Sequence, residues 1–144
     1  MFTLLKFLAL VVLLNIIRYV AGYPFESWLI FNGLFGAMSQ NPSVFNNQYS
    51  TFDWVTSYFY NFIMWLTVTW VFRLLHHSLH GSMILKSLQV FGLMFLFFAS
   101  TCAILMNHYS HSKAFYFYVT FDGLLVFTLV AIANGLLYPL FFKK

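Results

Sequence analysis

Residues Ser57–Gly81 read "SYFYNFIMWLTVTWVFRLLHHSLHG". An aromatic, apolar run leads into an arginine and then three histidines, so the segment is either a membrane helix reaching water or part of a metal or haem site. The apolar run from Asp53 to Leu75 decides the fold class. At about 1.5 Å per helical residue it is long enough to cross a hydrocarbon layer about 30 Å thick. Three other runs share its character, over residues 2–23, 83–106 and 114–142. The expected architecture is therefore an all-α integral membrane protein, a bundle of four transmembrane helices.

Composition demands the same answer. The chain is 62% hydrophobic, 23% aromatic and 7% charged, with a mean hydropathy of +0.82. Soluble domains carry roughly a quarter charged residues, and this chain has too few to cover a surface facing water. No polar stretch approaches the roughly 50 residues of an independent soluble domain, so residues 1–144 are expected to form one membrane domain. Seven Lys and Arg against three acidic residues leave a net charge of +4. These charges are scattered at the ends of apolar runs rather than gathered in a basic stripe, which argues against a nucleic-acid partner. Cys102 is the lone cysteine, so neither a disulfide framework nor a four-cysteine zinc site is available.

The opening "MFTLLKFLALVVLLNIIRYVAGY" has the charged start and apolar middle of a secretory signal. Tyr19 stands where a cleavage site after Ala21 needs a small residue, and Arg18 lies in the last turn, so a retained span is expected. After it, "PFESWLIFNGLFGAMS" opens with Pro24 and Glu26, residues suited to the first turn of a helix. Residues 24–39 are too few to cross, and an interfacial or re-entrant helix in the outer loop between spans one and two is expected. Short loops rich in Lys and Arg stay cytoplasmic. The Arg73–Lys86 connection, Lys6 and the Lys143, Lys144 tail fall on one side, while residues 22–52 hold no Lys or Arg. Both termini are thus expected in the cytoplasm, with a bacterial inner membrane as the setting. Trp54, Tyr58, Tyr60, Tyr116 and Tyr118 then lie near the outer interface, where amphipathic rings settle.

His76 and His80 would share a face if the second span continued as a helix, and they are weak candidates for a metal. The competing reading is a polar helix end. Two histidines make an incomplete site, and His108 and His111 fall across the membrane from them. The third and fourth spans offer no histidine at matching depth for a haem, so no metal or cofactor is expected.

A charge inside the bilayer costs at least about 2.5–3.5 kcal/mol on insertion scales, so each such residue needs a reason. Asp53 follows Ser50 in "STFD", the pattern of a capping box with Asp in place of the usual Glu or Gln. Asp122 lies about 13 Å down the fourth span from Lys113, and Arg18 about 7 Å down the first from Tyr23. The two are expected to pair, with Glu26 as the alternative partner of Arg18. Asn15, Asn61, Ser100 and Thr101 fall in the same outer half and are expected to complete a buried polar layer, either a structural network or a path for protons or substrate. Ala99 with Ala103, and Ala131 with Gly135, have the small-xxx-small spacing that lets helices approach closely. Asn134, beside the second pair, is placed to hydrogen-bond across that contact.

The sequence displays no nucleophile with its base, no paired acids at one depth and no phosphate-binding loop. A non-enzymatic role is expected: a small polytopic accessory, assembly or stabilising subunit of a larger membrane system, in envelope maintenance or drug tolerance. Its partners would be the lipid bilayer and a larger membrane protein or further copies of itself. The alternative is a quinone or haem anchor, or a small-molecule transporter using the Arg18 and Asp122 layer.

Overall fold

Helix follows helix along the chain: α1 (Phe2–Leu29), α2 (Phe31–Ser39), α3 (Thr51–Leu75), α4 (Met83–His108) and α5 (Lys113–Phe142), with no strand among the described residues. The structure, a computed structural model, describes residues 2–40, 42–43, 45, 48–109 and 112–142. His111, Lys143 and Lys144, on which parts of the histidine and orientation arguments rest, lie outside them.

Local chemistry sets several helix ends. Ser50 caps α3: its hydroxyl accepts from the Asp53 backbone N–H at 3.2 Å, and the Asp53 carboxylate accepts from the Ser50 N–H at 2.8 Å, a complete capping box. Ser82 caps α4 by accepting from the Leu85 N–H. Between α3 and α4 the chain turns at Gly81, whose φ of +103° lies in the region that side chains with a Cβ rarely adopt.

The expected break at Pro24 does not occur. α1 runs through Pro24 to Leu29, and the chain parts only around Ile30, so the separate short helix is α2 over Phe31–Ser39 rather than residues 24–39. Proline removes one backbone N–H and need not end a helix whose neighbouring bonds and contacts persist. Here Glu26, a little over two turns beyond Arg18, ties the last turns of α1 back onto the helix body.

α5 is the central element. It packs most extensively on α4 and also on α1 and α2, while α3 packs on α1 and α4. The core joins Phe7, Leu10, Val11 and Leu14 of α1 to Trp65, Val68 and Phe72 of α3, Val90 and Phe91 of α4, and Val126, Phe127, Val130 and Ala131 of α5. Trp65 anchors it, with no exposed surface and its ring 5.0 Å from Phe127 and 6.3 Å from Phe91. α1, α4 and α5 are each long and apolar enough to cross a membrane. α3 matches their length, but its Tyr, Trp, Thr and Asn residues make it less apolar.

Candidate functional site

The buried charges gather where α1 meets α5. Arg18 Nη2 lies 2.7 Å from Glu26 Oε1, and Nη1 donates to Glu26 Oε2 at 3.4 Å. The shorter contact pairs the charges without hydrogen-bond alignment, so Oε1 has no hydrogen-bond partner by geometry. The Glu26 side chain is 3% exposed and that of Arg18 16%. Asp122 approaches from α5, within hydrogen-bonding reach of the Glu26 carboxyl and within the field of Arg18. The expected Arg18–Asp122 pair is therefore corrected: the ion pair is Arg18–Glu26, and Asp122 is the third member. The reason is the continuation of α1 past Pro24, which carries Glu26 onto the bundle instead of out into a loop.

Arg18 and Asp122 border a cavity of about 190 Å³ that is also lined by Asn61, Trp65, Phe98, Gly123 and Phe127. Arg18 Nε and Asp122 Oδ1 are buried without a hydrogen-bond partner. Asn61 does face this layer, its carbonyl accepting from Trp65 Nε1 at 2.8 Å. Asn15 spends its amide on the Val11 carbonyl one turn back at 3.0 Å, a bond within α1. Ser100 and Thr101 do not join the layer. Both are exposed, and the Thr101 hydroxyl bonds the Phe97 carbonyl. Counting depth along a helix left their direction around it open.

Of the two small-residue pairs, Ala131 and Gly135 lie buried at the α4–α5 contact. A Cβ on Gly135 would stand 2.5 Å from Ile84 Cα and 2.9 Å from its N, so only glycine permits this approach. Beside it Asn134 Nδ2 donates to Ser87 Oγ at 3.0 Å, wholly buried. Ser87 was not anticipated, since a lone serine in an apolar run has no periodic signal. Ala99 is half-buried and Ala103 exposed.

At the other end of the bundle α3 stops at Leu75, so His76 and His80 do not share a helical face. The helix ends there because His76 folds inward as its cap. The His76 backbone N–H donates to Phe72 O, its Nδ1 lies 2.9 Å from Arg73 O, and its carbonyl accepts from Lys86 Nζ at 2.9 Å. Its ring packs 4.9 Å from Tyr138 and 3.8 Å from His77. Burial pushes the His76 pKa below the ordinary histidine value, with His77 and Lys86 adding to the effect and the backbone acceptors opposing it. His80 and His108 are exposed. Among the described residues no three His, Cys, Asp or Glu side chains come together as metal ligands. No protein family, curated protein or solved structure matches this chain.

Proposed function

We propose that the chain is a four-span membrane protein that works without catalysis, as an accessory or assembly subunit held to a larger membrane protein or to copies of itself. The observation carrying this reading is the outward face of α4. Leu96, Ser100 and Ala103 follow one another at four and three residues, share a face, and are all exposed. Lipid gives a serine and an alanine nothing that a leucine would not take better. A neighbouring helix gains from them, through close backbone approach and interhelical hydrogen bonds. On the adjoining side an apolar groove of about 320 Å³ opens between α3 and α4, lined by Met64, Thr67, Met94, Phe97 and Thr101. The placement of Lys and Arg supports cytoplasmic termini, and a bacterial inner membrane is the setting proposed with it.

Native electrophoresis of the full chain extracted in mild detergent tests the reading. The wild type is expected in a species larger than the 16.9 kDa monomer with its detergent. Ala103→Leu, which fills the small-residue face without touching the core, is expected to release the monomer while leaving the amount of folded protein unchanged. A wild-type chain that migrates as a monomer overturns the proposal.

A second reading, ion or small-molecule handling at the Arg18 level, is favoured by the cavity and its unpartnered polar atoms.

A further inference from the structure

We propose that Glu26 and Asp122 form a site that binds one exchangeable proton between them, with Arg18 as the fixed counter-charge and the adjoining cavity as the route by which water reaches it. Four observations carry this. The two carboxyls belong to different helices, α1 and α5, yet stand within hydrogen-bonding reach of one another. An ionised carboxylate only accepts hydrogen bonds, so two such groups make one only when a proton lies between them. The charges agree: one arginine and two carboxylates sum to a single negative charge, and one bound proton brings the trio to neutrality in a setting where uncompensated charge is costly. The cavity of about 190 Å³ touches both Arg18 and Asp122, which is room for several waters. Finally, Arg18 Nε and Asp122 Oδ1, from two residues that line the cavity, are buried without hydrogen-bond partners, and ordered water satisfies such atoms.

The other groups facing the trio leave its charge balance unchanged. α1 adds Tyr19, whose ring lies 4.6 Å from the Arg18 guanidinium carbon, and α3 adds Tyr58, 5.4 Å from Tyr19. On α4 the thiol of Cys102 hydrogen-bonds Thr120 of α5, and α2 has no titratable side chain. Protonation is therefore a choice between Glu26 and Asp122. The proton arrives from cavity water, joins a carboxylate oxygen, and leaves by the same route, so no oxidant or second substrate is needed.

The whole sequence contains three side-chain carboxyls, Glu26, Asp53 and Asp122, which makes infrared spectroscopy decisive. Full-length protein in liposomes is expected to show a protonated-carboxyl stretch at neutral pH that shifts in heavy water. Asp53→Asn should keep the band. Asp122→Asn and Glu26→Gln should each lose it, because either change leaves one ionised carboxylate neutralised by Arg18. If either variant fails to accumulate, the wild-type spectrum still decides. No protonated carboxyl at neutral pH, or a band retained in Asp122→Asn, overturns the site, and a band that does not exchange in heavy water overturns the route through the cavity.

Discussion

His76 shows how far one side chain departs from its sequence context. It stands among polar neighbours at a helix end, yet it is 7% exposed and packs on Phe72 and Tyr138. Its folded-state pKa lies below the unfolded value of about 6.5. The unfolded chain therefore takes up the proton more readily, and stability rises with pH through this window. The contribution is fully present above about pH 6.5 and is lost as pH falls through that value toward the folded pKa. The charged groups that act on the ring, His77 and Lys86, disfavour the protonated form. Thermal unfolding in detergent is expected to weaken more for the wild type than for His76→Gln when pH drops from about 8 to about 5.5. Equal losses in the two proteins would remove His76 from the account.

Between elements, α4 and α5 make the most extensive contact among the described helices, and it depends on small residues. Gly135 lies against the Ile84 backbone, which cannot yield as a flexible side chain does. Gly135→Leu is expected to cost at least the ~1–3 kcal/mol of an overpacked core, with the buried Asn134–Ser87 hydrogen bond lost as the helices separate. Leu136→Ala, one residue on and 57% exposed, is the control and should change unfolding little. A Gly135→Leu protein that unfolds with Leu136→Ala would show that the two helices meet elsewhere. The Ser50–Asp53 box was legible in sequence because capping is local chemistry. The end of α1 was not legible, because the contacts that carry it past Pro24 come from the rest of the bundle.

For the whole molecule the relation of α3 to the bilayer fixes the topology. α1, α4 and α5 have the length and apolar content to span. α3 has the length, and the centre of its buried face, Trp65, Val68 and Thr69, sits in the common core. On the proposed four-span reading, α3 crosses with the neighbours it packs against along its middle. Topology reporters fused at Gly81 and after residue 144 are expected on one side of the membrane, and one inserted at Gln48 on the other. Gly81 and Gln48 on the same side would mean that α3 lies along the surface.

By itself the sequence determined the helical class, the apolar character of the long segments, the capping of α3 and the presence of isolated charges among apolar residues. These properties depend on composition, on length and on contacts between near neighbours in the chain. Only the tertiary structure decided which way each side chain faces and which charges meet. Depth along a helix can be counted from residue numbers. Rotation around it and continuation past a proline depend on what neighbouring helices offer, so Ser100 and Thr101 turned outward, and Glu26 took the place beside Arg18 that counting had assigned to Asp122.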